Sequence, residues 1–166
     1  MEPEVTIRAA TQDDADAAAT VLRRSITELC GADHHGDAET LEDWLANKTP
    51  GHFRRWVARA GQHTVLAERN GAVCGVGMLS PDGEIRLCYV HPDHVGCGVG
   101  RALVCAIEAE ASARGLTRLH LDATATATAF YEAMGFRRFG QSTVGFGVTR
   151  TNPYEKRLAP KSESAG

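Results

Sequence analysis

Three glycines at alternate positions, Gly96, Gly98 and Gly100, stand in "HPDHVGCGVGRAL", residues 91–103, just before a helical pattern. Glycine carries no side chain, and the first amide N–H groups of a helix have no acceptor within the helix. Several of these groups can therefore point at one anion, in a place where the helix dipole favours negative charge. The stretch predicts a phosphate-binding loop, and a bare turn without a ligand is the alternative.

Two familiar phosphate-binding motifs do not fit this loop. A dinucleotide-binding fingerprint that begins at Gly96 or Gly98 requires glycine or alanine at the position of Arg101 or Leu103. A P-loop requires a G-K-[ST] run after the glycines, and the sequence has none there. These departures disfavour a protein that binds nucleotides through the loop.

The side chains of Cys88, His91, His94 and Cys97 recur every third residue, and each is of a type that binds zinc. The step of three matches no common ligand spacing, and Pro92 breaks any helix that would bring the four together. We therefore predict no metal site. In the interpretation that we favour, Cys88 belongs to a strand, the two histidines to a turn, and Cys97 to the glycine loop.

The elements before the loop are predicted from hydrophobic periodicity and turn residues. "TIRAAT" alternates as an edge strand, and Thr11 is a helix N-cap for "TQDDADAAATVLRRSITEL", whose first turn is acidic. "AETLEDWLAN" has the spacing of a second helix, and "GHFRRWVARAG" fits a helix or an irregular segment. Asn70-Gly71 and "SPDGE" mark two turns, which predict a three-stranded antiparallel meander from about His63 to Val90.

A helix, a strand and further short elements are predicted after the loop. An apolar stripe predicts a helix from Val99 to Arg114, with Gly115 at its C-cap. "LTRLHLDA" predicts a strand, "ATATAFYEAMG" a short helix, and "FRRFGQSTVGFGVT" and "PYEKRL" two last strands. A strand–helix–strand unit joined to an antiparallel meander predicts an α/β fold with a mixed sheet.

Composition and charge restrict the class of protein. The 166 residues fit one domain, which we place at residues 1–158, with a flexible tail at residues 159–166. A formal net charge of −3 gives no basic stripe for nucleic acid, and no apolar run is long enough to span a membrane. The N-terminus has no signal-peptide pattern, and the five cysteines are scattered without a C-x-x-C pair. We therefore expect a cytoplasmic protein with reduced thiols and without nucleic-acid or membrane partners.

Two stretches resemble the signatures of the GNAT superfamily of acyl-CoA-dependent N-acyltransferases. That family has R/Q-x-x-G-x-G/A after a V-x-P turn, and "YVHPDHVGCGVGRAL" provides Val90, Pro92, Gly98 and Gly100 in register. "TATATAFYEAMGF" is similar to the family's A-x-x-F/L-Y-x-x-x-G-F helix. The resemblance covers most of the chain and departs at Val95, where arginine or glutamine is usual. It implies a GNAT-like fold with a mostly antiparallel central sheet, one splayed parallel strand pair and about four flanking helices.

The resemblance implies acetyl-CoA as the cosubstrate and no metal. Its pyrophosphate would lie against the amide groups of the glycine loop, and its pantetheine arm would run along the preceding strand as an added strand. The two splayed strands would be "IRLCYV" and "RLHLDA". Transfer within a ternary complex requires no cysteine nucleophile. The cofactor-binding residues that the resemblance implies are Cys88, Tyr89, Val90, Val95, Gly96, Cys97, Gly98, Val99, Gly100, Arg101 and Ala102.

Acetyl transfer requires an amine without its extra proton, attack on the thioester, and a proton for the departing thiolate. By the resemblance, Tyr131 would donate that proton to the sulfur, and Glu84 would be the general base, directly or through water. A core tyrosine with a satisfied hydroxyl and a solvated turn glutamate are the structural alternatives. His120 and Asp122 on the neighbouring strand are further candidates for a proton path.

The acceptor is the part of the function that the sequence leaves open. His34, His35, Trp44, Phe53 and Trp56 fall in the region where the family varies, and either an aromatic-lined amine pocket or simple packing fits them. We predict N-acetyl transfer to the primary amine of a small molecule or a peptide, and we leave a homodimer open. A noncatalytic acyl-CoA-binding or sensing module, or a protein that binds another phosphate, is the alternative.

Overall fold

The structure, a computed structural model, describes residues 4–145 and 147–159, and its strands form two sheets. The strands are β1 Thr6–Ala9, β2 His63–Arg69, β3 Ala72–Leu79, β4 Ile85–Val90, β5 Arg118–Thr124, β6 Arg137–Arg138, β7 Thr143–Val144 and β8 Arg150–Arg157. The first sheet has the order β1-β2-β3-β4, so β1 is an edge strand as predicted. In the second sheet β8 pairs with β5, β6 and β7, and all pairings within the two sheets are antiparallel.

The helices lie between and around these strands. They are α1 Ala15–Leu29, α2 Gly31–His34, α3 Ala38–Leu45, α4 Pro50–Ala58, α5 Val99–Ala113 and α6 Thr128–Ala133. A 3-10 turn precedes α1, because a side-chain oxygen of Asp14 accepts a hydrogen bond from the Thr11 amide at 2.8 Å. The first helix therefore begins a few residues later than Thr11 predicts. None of the described helices has the length and apolar character that a membrane crossing requires.

Helices cover both faces of the first sheet. Leu66 of β2 lies in an apolar cluster with Leu22 of α1 and Phe53 of α4. Its neighbour Val65 lies in a different cluster, with Leu103 of α5. Because successive side chains of a strand point to opposite faces, α1 and α4 lie on one face of the sheet and α5 on the other. The core is thus divided by the sheet into two apolar layers.

Helix α5 approaches β3 closely and joins the two sheets. A Cβ atom at Gly75 would lie 2.6 Å from Val99 Cγ1 and 3.0 Å from Leu103 Cδ1, so the contact requires glycine. Further along α5, Ile107 lies in the same apolar cluster as Leu119 of β5. The first turn of α5, which follows the glycine loop, is therefore held against the sheet.

Strands β4 and β5 meet at one point and then separate. A parallel bridge joins Glu84, just before β4, to His120 of β5, and the His120 amide donates to the Gly83 carbonyl at 3.0 Å. Beyond this bridge the described residues show no further backbone pairing between the two strands. The predicted splayed pair and the mixed α/β fold are confirmed.

The segment before β2 is more helical than the sequence pattern indicates. His34 and His35 were expected in a polar link, and residues Gly31–His34 form the one-turn helix α2 instead. The stretch "GHFRRWVARAG", which fits a helix or an irregular segment by sequence, contains most of the helix α4. This helix begins at Pro50. The hydroxyl of Thr49 accepts a hydrogen bond from the His52 amide at 3.2 Å and caps this helix. A threonine N-cap followed by proline is a helix-start signal that the sequence contains.

The strand expected in "FRRFGQSTVGFGVT" is reduced to the two-residue strands β6 and β7. Between them the chain faces Pro153 of β8, which has no N–H group to donate. The Phe139 amide donates to the Pro153 carbonyl at 3.0 Å, and a Cβ atom at Gly140 would lie 2.9 Å from the proline ring. Residues 160–166 of the predicted tail lie outside the described residues. The domain boundary at residue 158 stays a prediction.

Candidate active site

The glycine loop leads from β4 into α5 with an open backbone. Gly96 and Gly98 have φ angles of 80° and 82°, which glycine adopts without strain. A Cβ atom at either position would meet no atom within 4 Å, so the space beside the loop is free. The N–H groups of Val99, Gly100 and Arg101 have no backbone acceptor among the described residues. This row of donors at a helix N-terminus fits a phosphate group.

A cavity of about 520 Å³ lies beside this loop, and we call it the glycine cavity. Among the predicted cofactor-binding residues, it is lined by Cys88, Tyr89, Val90, Val95, Gly96, Gly98, Val99, Gly100 and Arg101. Two further predicted residues, Cys97 and Ala102, do not line it. Cys97 packs against an apolar cluster instead, and the Ala102 N–H already donates to the Gly98 carbonyl at 3.0 Å. The row of open amide donors therefore ends at Arg101.

Tyr131 of α6 lines the glycine cavity and is only 6% exposed. Burial raises the pKa of its hydroxyl well above the usual value, so the group is a proton donor at neutral pH. Cys88 of β4 lines the same cavity. Burial raises the pKa of the Cys88 thiol to about 11, and the neighbouring Tyr131 hydroxyl offsets a part of this shift. Cys88 is therefore a thiol at neutral pH and a poor nucleophile.

A second cavity of about 430 Å³ adjoins the first, and we call it the polar cavity. Both cavities are lined by Trp44, Ile85, Arg86, Tyr89, Asp122 and Thr124. Among residues that line the polar cavity and not the glycine cavity are Lys48, Arg59 and Glu84. Because the shared residues come largely from β4 and β5, the two cavities meet where these strands separate.

The carboxylates of the polar cavity differ in position. The Glu84 side chain is 33% exposed, and its Oε2 lies 3.8 Å from a guanidinium nitrogen of Arg86. Asp122 of β5 lines both cavities and therefore lies at their junction. His120 lines neither cavity, and its Nε2 lies 3.8 Å from a carboxylate oxygen of Asp82. The structure thus brings Glu84 and Asp122 to the cavities and leaves His120 outside them.

The wall of the polar cavity also contains buried polar groups. Lys48 is 5% exposed, and its Nζ donates to the Trp44 carbonyl at 3.2 Å and to the side chain of Asn47. Burial lowers the pKa of Lys48 to about 8. Thr149 Oγ1 and Gln62 Oε1 are buried without a hydrogen-bond partner in the described part of the chain. Such atoms are uncommon in a folded protein and mark places where a ligand can form a hydrogen bond.

The aromatic and histidine residues of the variable region take different positions. Trp44 lines both cavities, and Trp56 lines the polar cavity. Phe53 is fully buried in the core, which is the packing role. His34 is buried with both ring nitrogens hydrogen-bonded to backbone groups, and His35 is exposed; neither lines a cavity. Of these five residues, only the two tryptophans line a cavity.

Cys88, His91, His94 and Cys97 do not form a metal site. Within residues 4–145 and 147–159, no group of three His, Cys, Asp or Glu side chains could hold a metal ion. The ring of His91 is engaged on both nitrogens. Nδ1 accepts a hydrogen bond from the Asp93 amide at 3.1 Å, and Nε2 lies 3.2 Å from a guanidinium nitrogen of Arg24. The turn around His91 is therefore held by hydrogen bonds within the chain.

Three basic residues of the polar cavity were not identified from the sequence. The position of Arg86 could have been predicted from the strand pattern. Arg86 alternates with the buried residues Ile85 and Leu87, so its side chain points to the opposite face of β4. Lys48 and Arg59 stand just beyond the ends of α3 and α4. Nothing in their local sequence distinguishes them from other surface cations.

Sequence comparison relates this chain to known acetyltransferases. The family model described as "Acetyltransferase (GNAT) domain" matches residues 32–158. An IAA acetyltransferase of Azospirillum brasilense is 38% identical over 80 residues, which are 43% of this chain and 52% of that protein. A mycothiol acetyltransferase of Thermobispora bispora is 36% identical over 122 residues, which are 65% of this chain and 39% of that protein. The matches thus span about half or less of these curated relatives.

Solved structures share the fold over almost the whole chain. A GCN5-related N-acetyltransferase from Rhodopseudomonas palustris has a TM-score of 0.84 at 29% identity, with 95% of this chain and 98% of that chain covered. The PaiA N-acetyltransferase from Thermoplasma acidophilum, solved in complex with coenzyme A, has a TM-score of 0.77 at 18% identity, with 93% and 99% covered. The matched range 32–158 contains both the glycine loop and Tyr131, and the chain belongs to the GNAT acetyltransferase family.

Proposed function

We propose that the protein is an N-acetyltransferase that moves the acetyl group of acetyl-CoA directly to a primary amine in a ternary complex. The observation that carries this proposal is the junction of the glycine cavity and the polar cavity where β4 and β5 separate. One cavity provides open amide donors and the hydroxyl of Tyr131, and the other provides the carboxylates of Glu84 and Asp122. Two substrates held on either side of this junction would have their reacting atoms close together.

The glycine cavity is suited to the phosphate groups of acetyl-CoA. The N–H groups of Val99, Gly100 and Arg101 would bind the pyrophosphate, and a bound thioester would supply the activated acyl carbon. The side chain of Val95 is 56% exposed and offers no hydrogen bond where family members have arginine or glutamine. Phosphate binding would therefore depend on the backbone amides. The Thermoplasma acidophilum N-acetyltransferase of the same fold was solved in complex with coenzyme A, which supports coenzyme A as the ligand.

In the proposed mechanism Tyr131 is the acid and Glu84 is the base. The amine nitrogen forms a bond to the acyl carbon, and the carbon–sulfur bond breaks. The amine gives up its proton to Glu84, directly or through water, and the thiolate takes a proton from Tyr131. Burial keeps Tyr131 protonated, which suits this role. Asp122 lies at the junction and is the alternative base.

A panel of primary amines tests the proposed function. With acetyl-CoA, we expect at least one amine to increase thiol release above the rate without amine, and mass spectrometry to find that amine heavier by one acetyl group. Calorimetry with coenzyme A alone provides the control for binding. Tight coenzyme A binding without turnover of any amine would indicate a noncatalytic acyl-CoA-binding module. Absence of coenzyme A binding would contradict the assignment of the glycine cavity.

The base is tested with Glu84→Gln and Asp122→Asn. We expect Glu84→Gln to lower kcat by about 100-fold or more, because general-base catalysis contributes about 10²- to 10⁴-fold. Glu110→Gln is the matched control, since Glu110 pairs with Arg114 on α5 and lines neither cavity. A larger loss of kcat in Asp122→Asn than in Glu84→Gln would move the base to Asp122.

A further inference from the structure

Tyr89 of β4 lies at the junction of the two cavities, and the proposed transfer gives its hydroxyl no role. The residue lines both the glycine cavity and the polar cavity. It also packs against two apolar clusters, one that contains Leu22 of α1 and one that contains Trp44 of α3. The core therefore holds the ring of Tyr89, while the residue remains part of the wall where the two substrates would meet.

The hydrogen bonding of this hydroxyl leaves its proton without an acceptor in the chain. The indole Nε1 of Trp44 lies 3.4 Å from the Tyr89 oxygen and donates to it, because an indole N–H group has no acceptor capacity. The hydroxyl proton of Tyr89 must therefore be directed to another partner. In residues 4–145 and 147–159, the Tyr89 side chain forms no second hydrogen bond. The proton is thus available to a ligand.

The surroundings of this hydroxyl place it near the reacting atoms. Trp44 itself lines both cavities, so the oxygen that its indole contacts lies beside the junction. Burial is the main cause that raises the pKa of Tyr131, and electrostatic interaction with Tyr89 adds to it, so the two tyrosines are close enough to interact. Burial also raises the pKa of Tyr89 well above its usual value, which keeps its proton in place at neutral pH.

The chemistry of the proposed transfer leaves one atom for a second hydroxyl donor. The sulfur takes its proton from Tyr131, and the amine needs its lone pair for the attack on the acyl carbon. As the carbon–nitrogen bond forms, the thioester oxygen gains negative charge, and it becomes a carbonyl again when the carbon–sulfur bond breaks. A hydroxyl that donates a hydrogen bond to this oxygen stabilises the charge and keeps its own proton.

We propose that Tyr89 is a further catalytic residue, whose hydroxyl donates a hydrogen bond to the thioester oxygen of acetyl-CoA, and that Trp44 is the positioning residue for this hydroxyl. This inference rests on the proposed acetyl transfer and adds a residue to it. A donor that is in place before the reaction stabilises the developing charge without reorganisation. The hydrogen bond from Trp44 to the Tyr89 oxygen also polarises the O–H group, which strengthens it as a donor.

Tyr89→Phe removes the donor and keeps the aromatic ring. We expect kcat to fall by about 100-fold or more, as for the loss of one donor to an oxyanion, and the calorimetric affinity for acetyl-CoA to stay the same. Tyr154→Phe is the matched control, because Tyr154 lines neither cavity and its hydroxyl donates to Glu132. Trp44→Phe should give a smaller loss of kcat, since it removes the orienting N–H group and leaves the hydroxyl. Thermal melting confirms the folding of each variant, and Tyr89→Phe decides if the buried Trp44→Phe variant fails to fold.

Infrared spectroscopy measures the proposed hydrogen bond without turnover. Acetyl-CoA with an isotopic label at the carbonyl carbon is bound to each variant in the absence of amine, and the spectrum with unlabelled acetyl-CoA is subtracted. A hydrogen bond to the oxygen weakens the carbonyl bond and lowers its stretching frequency. We expect the thioester band at a higher frequency in Tyr89→Phe than in the wild-type protein, and between these two positions in Trp44→Phe. Tyr131→Phe and Tyr154→Phe should keep the wild-type position.

The outcomes separate this inference from the proposed function. A thioester band at the wild-type position in folded Tyr89→Phe would overturn the inference, and so would an unchanged kcat in this variant. In both cases, turnover of an amine by the wild-type protein would leave acetyl transfer intact. Absence of turnover with every amine would contradict the proposed function. A band that moves in Tyr89→Phe would then still support a hydrogen bond from Tyr89 to the bound thioester.

Discussion

Burial sets the protonation of the residues that line the two cavities. Burial raises the pKa of Tyr131 and of Cys88, so both groups are neutral at pH 7. Burial acts in the other direction on Lys48, whose pKa falls to about 8 because the charged form is disfavoured. Lys48 therefore remains mostly charged at pH 7. At this scale the glycine cavity combines two neutral proton donors with charged residues such as Arg101, and Lys48 of the polar cavity keeps its charge.

Tyr131→Phe keeps the aromatic ring and removes the hydroxyl. We expect acetyl-CoA affinity, measured by calorimetry, to stay the same and kcat to fall by about 10- to 100-fold. This is the low end of general acid catalysis, because a thiolate is a good leaving group. A loss in kcat alone indicates an interaction made in the transition state. Because the pKa of Tyr131 is raised, wild-type kcat should not decline at alkaline pH through this group.

The matched control for this variant is Tyr154→Phe. The hydroxyl of Tyr154 donates to Glu132 at 2.6 Å, and Tyr154 lines neither cavity, so its loss should leave kcat unchanged. If the kcat of Tyr131→Phe equals that of the wild-type protein across the accessible pH range, Tyr131 is not the proton donor and has only a packing role.

At the scale of elements, the first turn of α5 holds the row of amide groups that we propose as the phosphate site. Gly98 is the N-cap of α5 and has a left-handed backbone, which leaves the following amides open. Because Gly75 of β3 has no side chain, α5 can lie close to the sheet. The loop, the helix and the sheet thus act together, because each holds the row of amides in one place.

Gly98→Asp and Gly98→Asn test the loop as a matched pair. Asparagine and aspartate both tolerate a left-handed backbone, so the two variants differ mainly in charge. We expect coenzyme A to raise the Tm of the wild-type protein, with little effect from NAD or ATP, and to lose this effect in Gly98→Asp. Gly98→Asn should keep part of it, because it adds a side chain without adding negative charge. Unchanged coenzyme A affinity in folded Gly98→Asp would exclude the loop as the phosphate site.

At the scale of the whole molecule, a few contacts join segments that are distant in sequence. α5 connects the two sheets through its apolar face. On the surface, Arg8 of β1 binds both oxygens of Asp14, at 2.9 and 2.7 Å, and also pairs with Glu68 of β2. The ion pairs tie β1 to the turn before α1 and to the neighbouring strand. They therefore contribute to stability without contacting either cavity.

Asp14→Asn tests this contribution through its dependence on pH. The Arg8 guanidinium is the main cause that lowers the pKa of Asp14 from 3.8 to about 2 in the folded protein. A group with a lowered folded-state pKa stabilises above its unfolded value, and this stability is lost as pH falls through the folded value. In urea unfolding, we expect Asp14→Asn to have a lower midpoint than wild type at pH 7. The difference should shrink as pH falls from about 4 towards about 2.

Glu42→Gln is the control for this series, because Glu42 is an exposed carboxylate in α3 that forms no ion pair among the described residues. Its midpoint should follow that of the wild-type protein at each pH. A difference between Asp14→Asn and wild type that stays constant from pH 7 to pH 2 would assign the effect to packing rather than to the ion pair.

The sequence by itself determined those features of the protein that depend only on residues adjacent in the chain. Asn70 and Gly71 form the predicted hairpin turn between β2 and β3 with positive φ angles of 54° and 74°. The glycine run between β4 and α5 has the open backbone that its composition indicates. The family was recognised from two short motifs, and the family match confirms it. These features are local because turn geometry and helix starts are set within a few residues.

Only the tertiary structure decided which residues line the polar cavity. The polar cavity takes Lys48 from the end of α3, Arg59 from the end of α4, Asp122 from β5 and Thr149 from the turn before β8. No periodicity or spacing relates these positions, because they come together only when helices and strands pack. Burial of Lys48 and of the Thr149 hydroxyl is likewise a result of packing. The open backbone of the glycine loop could therefore be predicted from sequence, whereas the charges that line the polar cavity could not.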